Sequence, residues 1–474
     1  MITLYPTSNL QSFLQTPSTW DRLAGGVPFR STAWSRPWYQ HRSRESRPVA
    51  LIAYKSGGDP TDSHRSMDRV ALGEADCSAA SSDSEQAPAG EVVGILPLHG
   101  SSAGRRTTRR LGLCGDGPAT SDYLSLLVRP ENCSVVAEGM ADYLIRHADD
   151  SFLGWNHLHL EGVSAGDPAT ACLLEHLQQR GASIHLQSTM NAWFKPCAES
   201  WEAFQASEPR KLRQQLRRWW RATEKDPGLR VEVPGDWRQT EAALHAMIRL
   251  HQQRWQSVGQ PGSFATADSI LFILDVVRQW HADGQLYLPT LVKDGVVIAA
   301  QLNVLGGDRR LYCYSMGVHP DYTSLSPGLV LNAHTLEHAH AIGATGWDMM
   351  RGDETYKQRL HANAIPMLEI DIHPPTWSGR AEQVWQAGYR AARHASRRWR
   401  GLPSIDPIPL KSAFPPDERY SGCLPKWVTH TSPFPTTSFS TAQASAATQV
   451  DSESVSQGCD QVWTPDVAAP VVVG

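Results

Sequence analysis

Between Gly346 and Lys357 the chain reads GWDMMRGDETYK, a stretch that gathers acids, a guanidinium, a phenol and an amine. Those groups suit proton transfer and charge stabilisation on a polar substrate. Lys357 is placed to neutralise an oxyanion or a substrate phosphate, and Tyr356 to protonate a leaving thiolate. Arg351 suits bidentate binding of a carboxylate or phosphate, and the loop that also carries Asp348 and Gly352 is built to hold something polar. Asp348, Asp353 and Glu354 all qualify as general base, and Asp353 is the choice. Each role has a purely structural counterpart: Lys357 paired with Asp353 or Glu354 to pin the loop, and Arg351 paired with Asp348.

A second feature lies just upstream at Ser326-Pro327-Gly328-Leu329. Serine caps helices, proline fits the first helical position, and glycine lets a ligand approach the backbone. The free amides and dipole of such a start favour an anion. These four residues are the expected binding site for the phosphates of a thioester carrier.

The elements that must position these groups follow from pattern. A strand is expected over Arg310–Gly317, an apolar helix over about Pro327–Ile342, a strand into Asp348, and another over about Ile365–His373. Upstream, strands are expected at Pro48–Tyr54, Glu91–Leu98, Arg110–Cys114, Tyr123–Val128, Leu158–Glu161 and Ser183–Gln187. Helices fall at about Cys133–Ala148 and Pro168–Arg180. The second half opens with one long helix over Trp201–Lys225, then a strand at Leu229–Val233 and helices at Thr240–Ser257 and Ala267–Ala282. Strands at Gln285–Leu291 and Val296–Leu305 follow, with KDG and GGD turns where tight hairpins need Gly or Asp. Alternating strands and helices mean an α/β fold, and the similar element order of the two halves suggests duplication.

Length points to two domains and a tail. The expected division is 1–190, with 56–90 as a disordered Ser/Asp/Gly-rich insertion, then 191–400, then a disordered Pro/Ser/Thr-rich tail over 401–474. A net charge of −4 gives no whole-molecule case for DNA binding. Eight scattered cysteines without a C-x-x-C pair indicate neither a disulfide framework nor a zinc knuckle, and no metal is expected. No membrane span or leader is evident, so a cytoplasmic location is expected. His334-Thr335-Leu336-Glu337-His338 matches the inverted zincin pattern, but no third ligand accompanies it.

The series KDGVVIAAQLNVLGGDRRLYCYSMGVHPDYTSLSPGLVLNAHTLEHAHAIGATGWDMMRGDETYKQRL resembles the GNAT branch called cellulose-biosynthesis (CelD-like) acetyltransferases, related to the Fem-type peptidyltransferases. WDRLAGGVPFRSTAWSRPWYQHR, VVGILPL, GLCGDGPATSDYLSLL and PRKLRQQLRRWWR extend the likeness upstream. The resemblance implies two tandem GNAT-like domains with mixed sheets flanked by helices. It implies an acyltransferase that takes acetyl-CoA or another acyl-CoA as co-substrate and an amine or hydroxyl acceptor, in this branch a small molecule or saccharide of the cell envelope. The usual Arg/Gln-x-x-Gly-x-Gly/Ala phosphate signature is absent before the SPG turn. The Fem relatives imply an aminoacyl-tRNA donor instead, for which the basic run Arg210–Lys225 offers either a landing site or an ordinary solvated face. A non-catalytic GNAT-like binding module is a further alternative, and a zinc hydrolase acting through His334-Thr335-Leu336-Glu337-His338 is the last.

Overall fold

Apolar and β-branched runs bounded by Gly, Pro and Asp become strands here, and runs with apolar residues every three or four positions become the helices that cover them. The computed structural model describes residues 2–10, 14, 17–42, 46–56, 88, 90–101, 109–399 and 407–414. The expected insertion at 56–90 and the expected tail lie outside these residues except where just given.

The first half comprises β1 (Ile2–Thr7), α1 (Pro17–Leu23), α2 (Thr32–Arg42), β2 (Arg47–Lys55), β3 (Glu91–Ser101), β4 (Arg110–Leu113), β5 (Leu127–Val128), α3 (Cys133–Arg146), β6 (His157–Ser164), α4 (Pro168–Gln179) and β7 (Ser183–Pro196). The second opens with α5 (Trp201–Ser207), α6 (Arg210–Trp220), α7 (Ala222–Lys225), β8 (Leu229–Glu232), α8 (Trp237–Ser257) and α9 (Ala267–Ala282). It continues through β9 (Leu286–Tyr287), β10 (Thr290–Lys293), β11 (Val296–Leu305), β12 (Arg310–Val318), α10 (Pro327–Ala341), β13 (Gly346–Arg351), α11 (Thr355–Arg359), β14 (Asn363–His373), α12 (Trp377–Trp399) and α13 (Leu410–Ala413).

The strands join in one sheet of order β1-β2-β3-β4-β6-β14-β7-β13-β12-β11-β10-β8. Its two ends repeat each other. In the first half three antiparallel pairings, β1/β2, β2/β3 and β3/β4, lead to a parallel pairing of β4 with β6. In the second half β8/β10, β10/β11 and β11/β12 lead to a parallel pairing of β12 with β13. Each parallel step is crossed by a helix, α3 or α10. The halves then exchange strands: β14 of the second pairs with β6 of the first, and β7 of the first pairs with β13 of the second. The fold is mixed α/β, and the boundary drawn at 190/191 falls inside β7, which serves both halves.

Aromatic packing ties α2 to α9, where Trp34 stacks on Trp280 at 5.7 Å and both are sealed from solvent. That cluster covers one face of the second half's sheet, while α10 covers the other.

Several elements differ from expectation for local reasons. The long helix over Trp201–Lys225 is three helices, because Glu208 precedes Pro209 and adopts extended backbone at ψ 148°. The strand expected over Tyr123–Val128 shrinks to β5, since Tyr123 takes φ +64°. Pro289 separates β9 from β10. Within the expected tail, residues 407–414 are ordered: Ile408 donates its amide to Leu186 and Ala413 is buried against the first half's core.

Candidate active site

The feature that opens the sheet is a parting of strands. β12 and β13 stay in register for only three pairs, ending at Tyr312 and Asp348. Beyond them β12 continues to Val318 beside β11, while Arg351 of β13 pairs with Ala192 of β7. Both strands are irregular at this level. On β12 the register with β11 jumps from Cys313 to Ser315, which leaves Tyr314 in a bulge. On β13 the register with β7 jumps between Asp348 and Arg351, and Met350 takes φ +56°. Bulges re-aim backbone groups and favour binding sites. The backbone of β12 past Tyr312 therefore faces a wedge with no strand partner on that side among the described residues.

The start of α10 lies over the same end of β12. A Cβ on Gly328 would come 3.2 Å from Met316 Cε and 3.3 Å from Val318. The turn is open to solvent rather than sealed, since Ser326, Gly328 and Leu329 are half-buried, although Pro327 is buried. It does not form the cradle expected from sequence. Ser326 sits in the left-handed region (φ 52°, ψ 50°) and makes no side-chain cap. Its own amide donates to Thr323 O and the Leu329 amide donates to Ser326 O, at 2.9 Å each. Proline has no amide hydrogen, so Gly328 N–H is the donor of the four left for an anion among the described residues. A left-handed turn tightens the helix start and consumes the other amides internally.

A buried polar layer anchors α10 beneath the wedge. Gln301 donates to Asn332 at 2.9 Å and accepts from Thr335 at 2.5 Å. Asn303 donates to Gln301 Oε1 at 3.3 Å. The residues of the HTLEH pattern diverge: Glu337 accepts from Trp220 Nε1, His338 stacks on Tyr287 at 3.7 Å, and His334 Nε2 lies 3.5 Å from Thr223 Oγ1.

The loop after β13 is brought together as expected, but its side chains are used differently. Asp348 is wholly buried, accepts from Tyr123 Oη at 2.6 Å and from Met350 N at 2.9 Å, and lies 3.7 Å from Arg310 Nη1. Burial pushes its carboxyl up to about 6 against the pull of Arg310 and Tyr123. It has no face toward a substrate. Arg351 is not paired with Asp348. Its Nε binds Asp122, its Nη1 binds Glu161 at 3.0 Å, and its Nη2 binds Ser121 O. The guanidinium fork expected to hold substrate is thus occupied by the first half of the chain. Lys357 is buried, and its ammonium donates to Met350 O at 3.1 Å and Arg351 O at 3.0 Å and pairs with Glu354 at 2.9 Å. Three donors meet three protein acceptors. The ammonium therefore acts as a clamp on residues 350–354, and the pairing partner is Glu354.

Asp353 and Glu354 remain exposed at the loop tip. Asp353 accepts from Asn191 Nδ2 at 3.1 Å and Trp193 Nε1 at 3.3 Å. Gly352, at φ +125°, donates its amide to Asn191 O at 3.0 Å. Tyr356 is half-buried and packs against the core cluster to which Trp347, Phe204 and Leu360 belong. Burial, then the nearby Cys313 and Glu354, hold its phenol well above 10 and keep it protonated.

Sequence reasoning missed Tyr123, Asp122 and Arg310. The signal was the polar run ATSDY, which leads into the strand expected over Tyr123–Val128.

Residues 210–358 match the Acetyltransferase (GNAT) domain family, a span from α6 into α11 that holds the parted strands and α10. Over that span the second half is similar to a GNAT acetyltransferase domain. Among solved structures, the fold is similar to that of FemX, at TM-score 0.48 and 11% identity over 75% of this chain and 95% of that one. It is also similar to the C-terminal domain (DUF2156) of a putative lysylphosphatidylglycerol synthetase from Agrobacterium fabrum, at TM-score 0.39 and 14% identity over 61% and 84%. L-PGS from Bacillus licheniformis is a third, at TM-score 0.38 and 10% identity over 59% and 80%. No curated protein sequence matches the chain. Among the described residues no helix is long and apolar enough to cross a membrane.

Proposed function

We propose that the protein transfers an acyl group from acyl-CoA to an amine or hydroxyl, using the wedge between β12 and β13. The parting of these strands carries the reading. A pantetheine arm has amides that can pair with the unpartnered backbone of β12, as an added strand would. An amide in the Tyr314 bulge suits the thioester oxyanion, and Gly328 N–H with the α10 dipole suits the carrier's phosphate end. The acceptor attacks the thioester carbon and gives its proton to Asp353, directly or through water. The departing thiolate takes the phenolic proton of Tyr356. Lys357 and Arg351 are positioning residues: they hold the loop that carries Asp353 and Tyr356.

The resemblance to CelD-like acetyltransferases supports a saccharide or envelope precursor as acceptor, and a cytoplasmic location would give access to coenzyme A. One observation favours an aminoacyl-tRNA donor instead: Arg210, Lys211, Arg217, Arg218 and Arg221 form an exposed basic face along α6 and its end.

Calorimetric titration with acetyl-CoA separates these readings from a scaffold without activity. The expected result is one site per chain, weakened at least about tenfold by Gly328→Trp, with thiol release in the presence of a saccharide acceptor. A folded protein that binds no acyl-CoA overturns the proposal, and binding of aminoacyl-tRNA in its place selects the second donor.

A further inference from the structure

A second constellation lies in the first half, away from the wedge. His157 and His159 stand two apart on β6 and project to one face of the sheet, and Asp371 pairs with His159 across the β6/β14 ladder. All three are buried, and one donor atom from each lies within 4.8 Å of the others. Asp371 Oδ1 already receives His157 Nε2 at 2.8 Å and His159 Nδ1 at 2.7 Å. Donors around a tetrahedral zinc with bonds of ~2.0 Å stand about 3.3 Å apart, so a small outward shift of the rings makes room for an ion.

The surroundings are those of a metal site rather than of a simple ion pair. Arg390, from α12, donates to Asp371 Oδ2 at 3.2 Å and so orients the carboxylate with Oδ1 inward. Glu369 Oε1 lies 3.5 Å from His159 Nε2, ready to accept the ring proton once Nδ1 turns to a metal. A third histidine adds an independent observation. His373 stacks on His157 at 5.0 Å and is 1% exposed. Its Nδ1 donates to Asn156 O at 3.0 Å, which fixes the neutral tautomer and leaves a lone pair on Nε2. Among the described residues that buried nitrogen has no hydrogen-bond partner, while the donor atoms that lie within 4.8 Å of one another are those of His157, His159 and Asp371.

We infer that His157, His159 and Asp371, backed by His373, form a binding site for a first-row divalent transition metal between the sheet and α12. Two imidazoles and one carboxylate suit zinc, cobalt, nickel or ferrous iron, whereas magnesium and calcium prefer all-oxygen sets. The site lies on different strands from the proposed acyl-transfer wedge and does not depend on it.

The test uses the full chain stripped with a chelator, titrated with zinc against a chromophoric competitor, and separately with cobalt to read its visible absorption. One equivalent should bind, the cobalt spectrum should lack thiolate charge transfer, and zinc should raise the unfolding temperature. Asp371→Asn and His159→Asn should each weaken binding about tenfold or more, while His338→Asn, in the HTLEH helix, should leave it unchanged. Asp371→Asn also disturbs Arg390, so unfolding in chelator confirms that each variant is folded. Absence of binding in the folded wild type, full affinity in both cluster variants, or loss of the site in His338→Asn overturns the inference.

Discussion

The Tyr123 hydroxyl donates to Asp348 Oδ2 at 2.6 Å, joining a turn of the first half to the strand that ends the parallel pairing of the second. Asp122 beside it binds both the backbone amide and the guanidinium of Arg351. The turn Ser121-Asp122-Tyr123 therefore sets where β13 bends and where the loop carrying Asp353 and Tyr356 begins. The proposed acyl-transfer wedge lies in the second half, but its geometry is held from the first.

The Tyr123–Asp348 pair gives a pH dependence. Burial raises the Asp348 carboxyl from 3.8 to about 6, so between these values the folded state holds a proton the unfolded chain has released. Stability from this group is fully present below about pH 4 and is lost as pH rises through about 6, a change on the order of 3 kcal/mol. Subtracting the urea-unfolding profile of Asp348→Asn from that of the wild type should reveal this slope. Tyr123→Phe should cost roughly 1–3 kcal/mol at pH 7, since it strips a sealed carboxylate of a donor. Parallel profiles for wild type and Asp348→Asn would show that Asp348 is not proton-linked to folding.

Lys357 gives a prediction that separates clamp from catalyst. Lys357→Met leaves the Met350 and Arg351 carbonyls without their charged donor and should destabilise the fold by about 2–4 kcal/mol. Glu354→Gln should cost under about 1 kcal/mol, because that partner is substantially exposed. Unfolding curves decide the matter. Unchanged stability in Lys357→Met, with turnover abolished, would return Lys357 to the chemistry.

What was legible in the sequence follows from the range of each interaction. Turns at KDG and GGD and the strand Val296–Leu305 are specified by neighbours, and the similar order of elements anticipated the repeated topology of the sheet. The residue before Pro209 carried a local break inside the span expected as one helix, Trp201–Lys225. The partners of the loop were beyond such reasoning: Tyr123 and Asp348 are 225 positions apart. Lys357 reads as a loop cation, because a sequence does not show that two carbonyls and a carboxylate converge on it. The exchange of β7 and β14 also lay hidden, since each strand pairs across the boundary that composition suggested.

Cys172 should be the most reactive thiol among the described residues. A hydrogen bond from Cys133, assisted by the nearby His176, lowers it to about 6 despite partial burial. The thiolate fraction of Cys172 at neutral pH is raised accordingly. Burial pushes Cys197 up to about 12 and keeps it inert. Iodoacetamide at neutral pH, followed by peptide mass spectrometry, should label Cys172 first, and Cys133→Ala should slow that labelling by roughly tenfold. Equal rates for Cys172 and Cys197 would refute the assignment.

Gly26 should be intolerant of any side chain. It takes φ +79°, and a Cβ there would lie 2.4 Å from the backbone amide nitrogen of Asp308 and 2.7 Å from the carbonyl carbon of Gly307. Neither atom belongs to a side chain that can turn aside, and Gly307 N–H donates to Gly26 O at 2.8 Å in the same contact. The hairpin between β11 and β12 is thereby docked on the loop after α1, which ties the start of β12 to the first half. Gly259, at φ +71°, has open space around its would-be Cβ. Gly259→Ala isolates the backbone penalty, about 1–2 kcal/mol. Gly26→Ala carries that penalty plus the collision, so it should lose at least about 2 kcal/mol more, or fail to accumulate as folded protein. Equal unfolding midpoints for the two variants would mean that the hairpin can lift from Gly26 at little cost and that this contact does not hold the halves together.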